Sequence, residues 1–143
     1  MEPRSGGEAA PGAAFHYQLP VEVRFRDTDA MGHVNNAVYL TYLEAARAGY
    51  YRAVTGRSFE GIGEEPVSII LARALVDFRA QAYFGERLLV ACRASWVGRS
   101  SFALSYRITA APDSPRGAGR LGAMKFWWRR SRSWRRRRER PRR

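Results

Sequence analysis

Within ten consecutive positions, Asp27 to Asn36, the chain carries two carboxylates (Asp27, Asp29), a glycine (Gly32), an imidazole (His33) and two side-chain amides (Asn35, Asn36). A carboxylate can act as a base or a nucleophile, and an imidazole or an amide can orient a water beside it. The stretch lies between a strand-like run and a helix-like run, the kind of junction where a rigid scaffold presents chemistry. The same residue types also have structural uses. Aspartates before a helix serve as turn and capping groups, a histidine serves as a hydrogen-bonded packing residue, and either asparagine can cap the helix.

The elements that must hold this stretch follow from hydrophobic spacing. Val21, Val23 and Phe25 alternate with Glu22, Arg24 and Arg26, which predicts a half-buried strand over Tyr17–Arg26. Val38, Tyr42, Ala46 and Tyr50 recur four apart, which predicts a helix over about Asn36–Val54 with Gly56 as its stop. That helix carries only Glu44, Arg47 and Arg52 as charges, with Glu44 and Arg47 spaced to pair, so a sheet is expected to wrap around it. Residues 57–66 read as a loop, and Val67–Ala82 as a long strand whose phase changes at a bulge near Ala72 or Arg73. Two hairpins follow: Leu88–Trp96, with unbroken alternation, turns at Gly98-Arg99 into Phe102–Ile108. One helix against successive antiparallel hairpins is an α+β domain.

The chain has 143 residues, 45% of them hydrophobic, enough for one compact core. Its formal charge of +12 is unevenly placed: residues 1–110 carry +1 and residues 111–143 carry +11. The body is therefore close to neutral, and the basic character belongs to the end of the chain. The single cysteine, Cys92, has no intrachain disulfide partner, and no Cys/His cluster has metal-ligand spacing, so neither metal nor cofactor is expected. There is no apolar run of bilayer-spanning length, and residues 1–15 read as a disordered leader rather than a secretory signal. A cytoplasmic protein is expected, with its domain over 16–110, a last short strand near 121–128 and a basic disordered tail over 129–143.

The stretch Val21–Arg47, V-E-V-R-F-R-D-T-D-A-M-G-H-V-N-N-A-V-Y-L-T-Y-L-E-A-A-R, resembles the opening of hotdog-fold acyl-CoA thioesterases of the 4-hydroxybenzoyl-CoA thioesterase-like group. The likeness continues through Asp77-Phe78-Arg79, Tyr83-Phe84-Gly85-Glu86 and Val97-Gly98-Arg99-Ser100-Ser101-Phe102, and so covers roughly residues 17–110. It implies a curved antiparallel sheet around one long central helix, working as a homodimer or a tetramer of dimers. It also implies an acyl-CoA substrate, with an acyl-carrier-protein ester as the alternative. By position, Asp29 matches the family's catalytic carboxylate and Asp27 an acid treated as structural. A histidine assists from the place of Asn36 in one branch of the family. In the plant acyl-carrier-protein thioesterases, which share an H-V-N-N run, it assists from the place of His33. Those plant enzymes have an asparagine where this chain has Met31. The expected catalytic residues are Asp29, His33 and Asn36. Asn35, Ala37 and Ser101 are the expected substrate contacts, and the backbone N–H groups at the helix start would serve as oxyanion donors.

The end of the chain departs from the resemblance. Arg129–Arg143 is mostly arginine with Trp134 and Pro141, where the family's last strand should follow Tyr106–Thr109 after a short turn. Three readings are open: nucleic-acid binding through arginines interleaved with tryptophans, binding of an acidic partner or membrane surface, or an aberrant terminus, which is the favoured one. Nucleic acid is expected as a partner only through this tail.

Overall fold

A computed structural model describes residues 14–57, 69–117 and 119–130, with side chains described up to residue 117. The leader expected over 1–15 falls outside the described residues through residue 13, and the basic tail does so from residue 131. Among the described residues there are five strands and one long helix: β1 Tyr17–Glu22, α1 Asn36–Thr55, β2 Ile69–Phe78, β3 Arg87–Val97, β4 Ser101–Ala110 and β5 Gly119–Arg130. The strands form one sheet in the order β1-β3-β4-β5-β2, every pair antiparallel. With the helix packed on one face, this is the α+β hotdog arrangement.

Helix and sheet meet through complementary periods. Tyr39, Tyr42, Leu43 and Ala46, spaced three and four apart, are buried against Leu88, Val90 and Cys92 of β3 and Leu104, Tyr106 and Ile108 of β4, which alternate along their strands. Burial pushes the Cys92 thiol up to about 12, so it packs as a small apolar side chain. The sheet covers only one stripe of the helix: Leu40, Thr41, Glu44 and Ala45 face outward, a narrower burial than the sequence suggests. At Gly49 the helix lies against the tip of the Tyr17 ring of β1, so a larger residue there would have to displace that hydroxyl.

Several strands differ from the periodicity, among them β2, which ends at Phe78 rather than Ala82. β1 ends at Glu22 rather than Arg26, because Arg24–Asp27 turns into a short 3₁₀ helix held by the Asp27 side chain. The alternation expected through Trp96 is interrupted by a bulge between Ala94 and Trp96, and the expected one in β2 falls between Leu71 and Arg73. β5 runs two residues beyond 121–128 at each end and lies inside the sheet, hydrogen-bonded to β4 on one side and β2 on the other.

Candidate active site

The loop between β1 and α1 is a small hairpin closed by its own backbone. Thr28 pairs with Val34, the Asp29 N–H donates to the His33 carbonyl at 3.1 Å, and the Gly32 N–H donates to the Asp29 carbonyl at 2.9 Å. Gly32 completes this turn at φ +84°, a left-handed conformation that favours glycine. The loop is anchored at both stems: the Asn35 N–H donates to the Asp27 carbonyl at 2.9 Å and the Val34 N–H to the Ala82 carbonyl at 2.8 Å.

The two aspartates have different surroundings. Asp27 is buried, and its carboxylate accepts from the Arg24 N–H at 2.9 Å, from the Arg24 guanidinium at 3.1 and 3.3 Å, and from the Tyr42 hydroxyl at 2.8 Å. Burial alone would raise its pKa. The hydrogen bonds from Arg24 and Tyr42 outweigh that and hold it below the usual carboxylate range. Burial together with the Asp27 charge pushes the Tyr42 hydroxyl far above its ordinary value, so it stays a donor. Asp29 is half-buried. Its Oδ1 accepts from the Met31 N–H at 2.9 Å, and its Oδ2 from the Asn35 side-chain amide at 3.4 Å.

Asn35 links this carboxylate to the helix. While its Nδ2 donates to Asp29, its Oδ1 accepts from the Ala37 N–H at 2.9 Å as the N-cap of α1. The Val38 N–H donates to the Asn35 carbonyl at 2.9 Å. Of the first three helical amides, only that of Asn36 makes no hydrogen bond among the described residues. Among the described residues the side chain hydrogen-bonded to the Asp29 carboxylate is thus Asn35, and neither His33 nor Asn36 makes such a bond to it. The His33 Nδ1 faces the Val34 carbonyl at 3.2 Å; donating to that oxygen leaves Nε2 as the acceptor of the neutral ring. Asn36 is exposed at the first helical position.

Ser101 is not brought to this loop. It opens β4 at the Val97–Ser101 turn, whereas the loop stems contact the chain just before Arg87, at the opposite end of β3. Eleven strand residues separate the two ends, roughly 30 Å. The partnership of Tyr42 with Asp27 has no counterpart in the sequence reading. Its four-residue spacing marks Tyr42 only as a buried helix position, and no local pattern reports a hydroxyl reaching an acid fifteen residues away. Among the described residues no group of three His, Cys, Asp or Glu side chains could hold a metal ion, and no helix is long and apolar enough to cross a membrane.

A family model described as the thioesterase-like superfamily matches residues 23–127. The Bacillus subtilis (strain 168) protein YsmA is 30% identical over 93 residues, which is 65% of this chain and 60% of its own length. The acyl-CoA thioesterase YbgC of Haemophilus influenzae is 27% identical over 92 residues, 64% of this chain and 68% of its own. Among solved structures, a thioesterase from Thermus thermophilus in complex with coenzyme A and Zn superposes with a TM-score of 0.67 at 30% identity, covering 82% of this chain and 86% of that one.

Proposed function

The chain belongs to the thioesterase-like superfamily, and from that membership and the Asp29 loop we propose that it hydrolyses acyl-CoA thioesters to the free carboxylic acid and CoA. The observation that carries this reading is the Asp29 carboxylate. It is half-buried at a loop tip and held by one backbone N–H and by the same asparagine that caps α1. A carboxylate fixed in that way beside a helix N-terminus supplies the two things a thioester needs: a nucleophile or base, and a positive end for the developing oxyanion.

Asp29 acts in one of two ways. As a base it takes a proton from a water whose oxygen adds to the thioester carbonyl; the tetrahedral intermediate then collapses, the C–S bond breaks, and the proton passes to the CoA thiolate. As a nucleophile its carboxylate oxygen adds to the same carbon, expels the thiolate and leaves a mixed anhydride, which water hydrolyses. In both, the Asn36 N–H at the first position of α1 is the oxyanion donor, and Asn35 keeps the carboxylate aimed. With Nδ1 donating to the Val34 carbonyl, the His33 Nε2 would accept a hydrogen bond from the attacking water. Ala37 contributes to the helix-start field although its own N–H is taken by the cap.

The reading includes a second copy of the chain. β2 is an edge strand on which Ile70, Leu71, Leu75 and Phe78 are exposed, an apolar edge that a dimer would cover. Ser101, some 30 Å from the loop within one chain, would reach a substrate at Asp29 only from a partner. The acyl donor is a CoA ester in this reading, with an acyl-carrier-protein ester as the alternative.

The test is thiol release by the purified full chain over a panel of short, long and aromatic acyl-CoAs. Release from at least one class at a turnover of about 1 s⁻¹ or more is expected; binding of CoA esters with no release across the panel would overturn hydrolysis in favour of a non-catalytic binding module.

A further inference from the structure

The Asp29 loop is fastened to the helix by two tyrosine hydroxyls that take no part in the hydrolytic steps above. Tyr39 and Tyr42 are three apart on α1 and therefore share a face; both are buried, with rings packed edge to face at 6.1 Å. The Tyr42 hydroxyl donates to the Asp27 carboxylate at 2.8 Å, and the carbonyl of that residue holds the Asn35 N–H. The Tyr39 hydroxyl accepts the Ala82 N–H at 3.2 Å, and the Ala82 carbonyl in turn holds the Val34 N–H. One tyrosine thus fixes the incoming stem of the loop and the other the outgoing stem. Between the stems, Thr28 to His33 closes on itself and on its own flanks, through the Thr28 N–H on the Phe25 carbonyl and the Asn35 amide on the Asp29 carboxylate.

We propose that Tyr39 and Tyr42 are positioning residues that set the distance between the Asp29 carboxylate and the first amides of α1, and so the alignment of base or nucleophile with oxyanion donor. This rests on the hydrolytic reading above. The physical requirement is severe, because a displacement of about 1 Å between reacting groups can cost as much as 100-fold in rate. The carboxylate rides on a loop, while the donors ride on the helix. The two buried hydroxyls extend from that helix to both stems, so loop and donors move as one body. Both tyrosines are buried and both hydroxyls are engaged within the protein, so the predicted effect falls on the chemical step and not on binding.

Tyr42→Phe and Tyr39→Phe, each compared with Tyr50→Phe, test this in the full chain. Tyr50 lies on the same helix and its hydroxyl accepts the Ala94 N–H at 3.0 Å, a comparable bond far from the loop. The expected result is a kcat for thiol release lowered about tenfold or more in Tyr42→Phe and Tyr39→Phe, with KM within about twofold and Tyr50→Phe unchanged. Backbone amide exchange supplies a readout that does not need turnover. Met31 and Asn35 should exchange faster in the first two variants and not in the third. The Tyr42→Phe/Asp27→Asn double variant should have a kcat no lower than the worse single variant, because the hydroxyl acts through that carboxylate. A kcat that falls equally in all three single variants, or an additive double variant, would overturn the positioning role while leaving hydrolysis in place. Unchanged exchange at Met31 and Asn35 would overturn it without reference to activity. Absence of thiol release by the wild-type chain would remove the hydrolytic reading itself, and accelerated exchange alone would then describe a structural anchor.

Discussion

Asp27 and Asp29 stand two residues apart in one loop, and the fold uses them differently. Asp27 is buried under four hydrogen bonds from Arg24 and Tyr42, all favouring its charged form. Asp29 is half-buried, with one backbone donor and one long contact to Asn35. A carboxylate whose lone pairs are all engaged stabilises a turn; one that keeps lone pairs toward solvent, while its backbone is fixed, is free to meet a substrate. Position in the hairpin makes the difference. Asp27 is at the stem, against helix and sheet, and Asp29 is beyond the Thr28–Val34 pair, at the tip.

That contrast can be broken at several points. Removing the Asp27 charge should have the largest effect on folding: Asp27→Asn leaves the Arg24 donors and the Tyr42 hydroxyl with a poorer acceptor. It is expected to cost about 1–3 kcal/mol, read from the urea midpoint at neutral pH with an unchanged m-value. Asn35→Ala, which removes both the helix cap and the amide at Asp29, should cost about 1 kcal/mol in the same measurement and also lower kcat. The pH dependence sharpens the same point. Because the folded pKa of Asp27 is held below the value of about 3.9 expected for an unfolded chain, its contribution is complete above about pH 4 and is lost as pH falls through the folded value. Urea midpoints should therefore decline more steeply below pH 4 in the wild type than in Asp27→Asn. The smallest effect is expected from His33→Ala. Among the described residues the ring hydrogen-bonds only the neighbouring Val34 carbonyl, and a thiol, far more acidic than an alcohol, leaves readily as the thiolate. Thiol release should fall by no more than about tenfold, short of what removing a general base costs.

Much of this is legible in the residues themselves. The helix expected over Asn36–Val54 is found over Asn36–Thr55, because four-residue spacing, an asparagine cap and a following glycine are local signals. The bulge in β2 shows as a change of phase, and the D-T-D run stands out by type and spacing. What escapes depends on side-chain contacts that hydrophobic spacing does not report, near and far along the chain. Arg24 reads as an outward strand position and is instead turned to hold Asp27, which ends β1 four residues early. Ser95 alternates as an ordinary strand residue, yet it sits in the bulge of β3, buried, with its hydroxyl near the Ala103 carbonyl at 3.4 Å. The reach of Tyr39 and Tyr42 across to Ala82 and Asp27 has no local pattern at all. β5 is the hardest element to see, because Gly119–Arg130 mixes glycine and arginine with apolar residues and lacks clean alternation, although the sheet gives it a neighbour on each side.

In the proposed hydrolysis Asp29, and not Asp27, performs the chemistry. The most direct test is thiol release and urea unfolding measured side by side for Asp29→Asn and Asp27→Asn on the best acyl-CoA of the panel. Asp29→Asn is expected to lose about 100-fold to 10,000-fold in kcat while its unfolding midpoint stays near wild type, and Asp27→Asn to show the larger loss of stability. Thiol release that survives Asp29→Asn at near wild-type rate would contradict that assignment.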